Sequence, residues 1–191
     1  MHTPIILIGP MSAGKSTIAA LLADKLDLPR LELDEIRIAY YKEAGYDEIE
    51  ASKIGRSEGG MIKLLQYWKP FEAYAVERVL IDYDKSVIDF GAGHSVYEEE
   101  KLFSRVERAM APHPNLILLL PSPDLDKSTE ILNARFGELL MREIGKVDEE
   151  LLKVNEHFVK HASNHKLARI VVYTEGKTPA ETCEEILGKL V

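Results

Sequence analysis

The apolar run Ile5-Ile6-Leu7-Ile8 leads directly into Gly9-Pro10-Met11-Ser12-Ala13-Gly14-Lys15-Ser16-Thr17, a stretch that reads GxxxxGK[ST]. No other part of the chain restricts its fold as strongly. Glycines at the two ends let the backbone close into a nest of inward N–H groups, and a helix starting near Gly14 adds the positive end of its dipole. Such a loop needs a buried strand before it and an amphipathic helix after it. Ile5 to Ile8 supply the first, and Ile18, Leu21, Leu22 and Leu26 fall at the spacing of the second. The group this loop holds is the phosphate chain of a nucleoside triphosphate. Gly9, Ser12, Ala13 and Gly14 offer backbone, Lys15 a point charge at the terminal phosphates, Ser16 a magnesium ligand, and Thr17 support at the helix start. ATP and Mg2+ are the expected cofactors.

Four further apolar runs bounded by Gly, Pro or charge follow, at Arg30–Leu33, Ser86–Phe90, Leu116–Leu120 and Arg169–Tyr173. Helical patterns separate them, which predicts an α/β fold: a P-loop three-layer sandwich with a five-stranded parallel sheet between layers of helices. In such a sheet the ligand sits at the carboxyl ends of the strands, here Gly9, Asp34, Gly91, Pro121 and Thr174. Two connections are too long to be simple crossovers, about 36–82 and about 124–166. Both are helical by pattern, and in a kinase they would form a substrate-binding insert and a lid. With 191 residues and 46% hydrophobic content, the chain is expected to be one domain, 1–191.

A formal charge of -8 opposes a phosphodiester backbone over most of the surface, so nucleic acid is not an expected partner. The longest apolar run, Leu116 to Leu120, is far too short to cross a bilayer. The P-loop lies within a few residues of the N-terminus, so no signal peptide, no membrane partner and a cytoplasmic location are expected. The single cysteine, Cys183, shares a helical stripe with Ala180, Ile186, Leu187 and Leu190 and is read as packing. Oligomeric state is not legible.

A second layer of chemistry surrounds the P-loop. Glu32 and Asp34 alternate where the second strand runs out, so both can face the phosphates. Asp34 is assigned the attacking hydroxyl, as base or orienting group, and Glu32 the magnesium shell. The competing reading of Asp34 is a helix N-cap. Asp89 lies inside the apolar third strand, either as a Walker B-like acid behind magnesium or as a structural hydrogen-bond partner of the P-loop. His94, directly after Gly93, lies where a substrate would rest and is read either as a ligand or as a solvated loop residue. His157, His161 and His165 recur every four residues but lack a cysteine and have Lys160 and Lys166 beside them, so they are read as surface or cleft-edge groups.

From these residues the chain resembles shikimate kinase and the wider group of small P-loop kinases, which includes nucleoside and nucleoside-monophosphate kinases. The match is close over Gly9 to Thr17. Glu32-x-Asp34 resembles the group's Asp-x-Asp, Arg56 with Glu58 its Arg-x-x-Glu of the insert, and Gly91-Ala92-Gly93 its triple glycine. The resemblance implies that Asp34, Arg56, Gly91, Gly93 and His94 face the acceptor. It further implies that Arg135 is the lid-side arginine over the adenine, and that the loop from Thr174 through Lys177 to Pro179 closes on the base from the other side. Arg142 and Lys146 would bring further positive charge to the transferring group when the lid closes. The stretch Asn155-Glu156-His157-Phe158 contains no arginine where the family offers one to the shikimate carboxylate, so the acceptor is left open.

The expected activity is an ATP-dependent kinase that phosphorylates a hydroxyl of a small metabolite. A nucleoside or nucleoside-monophosphate kinase shares the same features. A nucleotide-binding regulator that hydrolyses ATP slowly is the alternative of another class, and it would need no acceptor pocket.

Overall fold

The structure is a computed structural model that describes residues 3–191. Five strands, β1 (Ile5–Ile8), β2 (Arg30–Glu32), β3 (Val87–Asp89), β4 (Leu116–Leu120) and β5 (Ile170–Tyr173), form one sheet in the order β2-β3-β1-β4-β5. Every pairing is parallel. Helices cover both sides of the sheet, as the alternating pattern predicts.

All residues of β1, β3 and β4 are buried, which is why they read as uninterrupted apolar runs. Three strands are shorter than their apolar runs. β2 stops at Glu32 because Leu33 already starts the next helix, and Ser86, Phe90 and Arg169 at the ends of the third and fifth runs lie just outside the strands while still bonding to neighbouring strand backbone. Register sets a functional row: Leu7 of β1 pairs with Asp89 of β3, which pairs with Glu32 of β2.

Helix α1 (Lys15–Leu26) follows the P-loop. The insert contains α2 (Leu33–Glu43), α3 (Glu48–Gly55) and α4 (Gly60–Asp82), and α5 (Glu100–Met110) packs beside α4. The region expected as a lid consists of α6 (Leu125–Ile144), α7 (Glu149–Lys160) and the short α8 (Ala162–Leu167), with α6 packed along α7. Helix α9 (Pro179–Leu187) returns against α1, and Cys183 is buried there as the stripe predicts. Its start carries a full capping box between Thr178 and Glu181, with Pro179 in the first turn. Among the described residues no helix is long and apolar enough to cross a membrane.

Candidate active site

Helix α1 begins without the usual protections of a helix start. Its N-cap is Gly14 at φ 90°, no side chain caps it, and its first turn holds no acidic residue. The orphan amides and the dipole are left for an anion. Gly9 is required for a different reason. Its φ is 142°, and a Cβ there would lie 2.7 Å from the Leu119 carbonyl oxygen of the neighbouring strand.

Lys15 is buried, and its Nζ donates to the Pro10 carbonyl at 3.0 Å. Burial pushes its ammonium below the ordinary lysine value, while the Asp89 and Asp34 carboxylates pull it back up. The Ser16 hydroxyl donates to Asp89 Oδ2 at 2.5 Å, and Asp89 Oδ1 is buried with no partner among the described residues. Burial raises the Asp89 carboxyl, opposed by Lys15 and by the Ser16 hydroxyl. A serine hydroxyl and an under-satisfied carboxylate, both oxygen donors beside the phosphate nest, fit a hard divalent cation. Glu32 is differently engaged. It shares the register row of Asp89, but its carboxylate pairs with Arg30 Nη1 at 2.9 Å, so the metal-shell role expected of it meets a competing partner.

On the other side of α1 a cavity of about 220 Å³ is lined by Ala13, Gly14, Thr17, Ile18, Arg135, Thr174, Lys177, Pro179 and Thr182. The structure thus brings Arg135 of α6 and the 174–179 loop to one pocket beside the P-loop. Lys177 is tied down there, its Nζ donating to Tyr173 O and Glu185 at 2.7 and 2.5 Å. Thr174 Oγ1 is buried without a partner among the described residues and lies in this wall. The sequence placed Thr174 at the start of the loop that closes on the base but gave its hydroxyl no role.

The third region lies across the P-loop from that pocket. Asp34 is the second residue of α2, and the N-cap position belongs to Glu32, so the N-cap reading of Asp34 does not apply. Its carboxylate lies against Gly91, where a Cβ would collide with both of its oxygens. Gly93 is packed in the same way against Glu72. Glu72 is 1% exposed and accepts from Lys69 Nζ at 2.7 Å, and Lys69 also donates to the Gly93 carbonyl at 2.9 Å. Lys69-x-x-Glu72 is thus a buried pair beside the glycines, in an insert where the resemblance had put Arg56 with Glu58 toward the acceptor. Arg56 instead follows the end of α3, exposed. The signal was present as a basic residue three before a glutamate.

Arg37 had no assigned role. It pairs with Asp34 Oδ1 at 3.2 Å, one turn along α2, and its guanidinium lies 5.1 Å from the centre of the Trp68 ring. Aromatic packing of Tyr67, Phe71, Tyr46 and Tyr41 backs this wall. His94 is corrected. It is fully buried, its Nε2 meets Tyr41 Oη at 3.3 Å, and burial lowers its pKa. A neutral, enclosed imidazole supports Tyr41 from behind and does not present itself to a solvated acceptor.

His157 and His161 cluster with Glu98, their ligating atoms within 4.8 Å of one another, while His165 lies apart on α8. His157 Nε2 pairs with Glu98 at 2.7 Å and holds that carboxyl down at about 2. His161 Nδ1 accepts the Ser163 N–H at 3.2 Å, which leaves the neutral ring's proton on Nε2. The His157–Glu98 hydrogen bond joins α7 to the segment after β3.

Replacing Gly91 by alanine would push the Asp34 carboxylate aside without touching the P-loop. Acceptor turnover is expected to fall roughly tenfold or more, since displacements of about an ångström cost rates of that order. Nucleotide affinity, measured alongside by calorimetry, should be unchanged. Loss of both together would mean that Gly91 serves the fold alone.

No family model matches the chain. It is 28% identical over 197 residues to a shikimate kinase of Persephonella marina, covering 97% of this chain and 98% of that protein. It is 26% identical over 195 residues to a shikimate kinase of Chlorobaculum parvum, covering 99% and 92%. Its fold is similar to that of a shikimate kinase from Acinetobacter baumannii solved in complex with shikimate, with a TM-score of 0.65 at 18% identity, covering 98% and 92% of the two chains. A gluconokinase from Sinorhizobium meliloti has a TM-score of 0.56 at 13% identity, covering 98% and 90%. The chain is thus similar over nearly its whole length to shikimate kinases, and these similarities support a small-molecule kinase.

Proposed function

We propose that this chain transfers the γ-phosphoryl group of MgATP to a hydroxyl of a small hydroxylated metabolite seated between α2, α4 and the Gly91–Gly93 turn. The observation that carries this reading is the place of Asp34. Its carboxylate rests on Gly91, pairs with Arg37 and acts electrostatically on Lys15, so acceptor and phosphate ends share one charged neighbourhood.

In this reading the adenine occupies the pocket under Arg135, and the α1 amides hold the phosphates. Lys15 follows the transferring group and offsets its charge, and Asp34 orients the acceptor hydroxyl and takes its proton. Arg37 holds Asp34 in place, and Trp68 holds Arg37. Ser16, with Asp89 behind it, would hold magnesium, which when bound would offset the charge of the phosphate oxygens. Lys69 and Glu72 give the turn at Gly93 a buried, internally neutral support.

Shikimate and gluconate, which name the activities of similar proteins, belong in the acceptor panel beside other sugars, polyols, nucleosides and nucleotides. Coupled ADP release is expected to depend on the acceptor and to be selective for one class. ATP hydrolysis at the same rate with and without every acceptor would overturn the kinase reading in favour of a nucleotide-binding regulator.

A further inference from the structure

Asn155 stands in the stretch where the family resemblance looks for an arginine. The structure uses it for something else. Its side chain is fully buried on α7. Its Oδ1 accepts the backbone N–H of Met11 at 2.9 Å, across 144 residues of sequence. Its Nδ2 donates to Asn133 Oδ1 at 3.0 Å, and Asn133 Nδ2 donates to the Leu152 carbonyl at 3.2 Å. One amide group thus joins the P-loop, α7 and α6.

The residue after Met11 gives this contact its meaning. Ser12 has φ 61°, a left-handed conformation that non-glycine residues seldom adopt. Such a conformation persists where neighbouring contacts over-determine it. Here Met11 N–H is fixed by Asn155, the Pro10 carbonyl is held by Lys15, and the Met11 side chain packs with Val154 and Phe158.

We propose that Asn155 is a positioning residue for the nucleotide. It fixes Met11 and so holds Ser12 in the turn from which the phosphate nest is built. An amide suits the task, because it satisfies the half-buried Met11 N–H without setting a negative charge beside phosphates. This rests on the nucleotide-binding part of the proposed function. A purely structural Asn155 would only fasten α7 to the body of the protein.

Affinity for a non-hydrolysable ATP analogue with magnesium, compared with affinity for AMP, separates the two. In Asn155→Leu the Met11 N–H loses its partner, and analogue affinity is expected to fall about tenfold or more. AMP, which lacks the outer phosphates, should change less than about twofold, and turnover should show a raised KM for ATP with a smaller change in kcat. Adding Ser12→Gly, which adopts the left-handed turn at no steric cost, should restore most of the lost affinity. Asn133→Ala breaks only the branch to α6 and should bind the analogue normally. Asn155→Ser replaces the leucine variant if that variant does not fold, and is read in the same way.

Analogue binding in the Asn155 variant equal to that of the unmodified protein would overturn the proposal. So would an equal loss for analogue and AMP, a loss that Ser12→Gly does not relieve, or an equal loss in Asn133→Ala. An unmodified protein that bound neither nucleotide would overturn the nucleotide reading itself, and this result is distinct from all the others.

Discussion

Lys15→Ala is expected to abolish acceptor phosphorylation, with turnover reduced at least about a thousandfold, and to weaken ATP binding as well. The residue is buried inside the loop, with its Nζ on the Pro10 carbonyl and Asp89 and Asp34 as its nearest charged influences. In the proposed reading this is the charge that meets the outer phosphates. Alanine removes that charge and also leaves Asp89 without the cation that opposes its burial. Turnover in the coupled assay, with ATP affinity by calorimetry, checks the prediction. Unchanged turnover would end the phosphoryl-transfer reading, whatever the acceptor.

Asp34→Asn is expected to lower acceptor phosphorylation by about a hundredfold to ten-thousandfold while ATP affinity changes little. The substitution keeps the shape that rests on Gly91 but removes the negative charge and the basic oxygen. A helix-start role cannot hide the result, since the N-cap of α2 is Glu32, and the favourable dipole contact of a first-turn acid contributes only about 0.3–1 kcal/mol. Loss of the ion pair with Arg37 adds little to stability, because the Asp34 side chain is 56% exposed. A fully active asparagine variant would remove Asp34 from the chemistry and strengthen the regulator alternative.

The P-loop and the five buried strands were legible because each depends on contiguous residues, and the helical patterns between them implied a parallel sheet. The phosphate donors lie within nine consecutive positions, Gly9 to Thr17, and buried parallel strands announce themselves as unbroken apolar runs. Arg135 and the 174–179 loop were named from the family resemblance, and the structure puts both in the wall of one cavity beside the P-loop. His94 was misread. Its position after β3 was correct, but sequence position does not say whether a side chain points into the cleft or into the core.

The acceptor end is where sequence reading stopped. Lys69 and Glu72, a buried pair three residues apart, pack beside Gly93, whereas Arg56 with Glu58 had been expected on the acceptor side. Which turn of a helix meets the Gly91–Gly93 segment depends on helix lengths and rotations that no local pattern encodes. Asn155 with Met11 and Arg37 with Trp68 join residues 144 and 31 positions apart, as the numbering of the two pairs shows. By itself the sequence determined the element that grips phosphate and the sheet that presents it, since hydrogen-bonding geometry and burial act there over a few neighbouring residues. Only the tertiary structure decided which side chains close the acceptor end and which hold the P-loop in shape. Those contacts form between distant segments, and they exist only once the helices have packed.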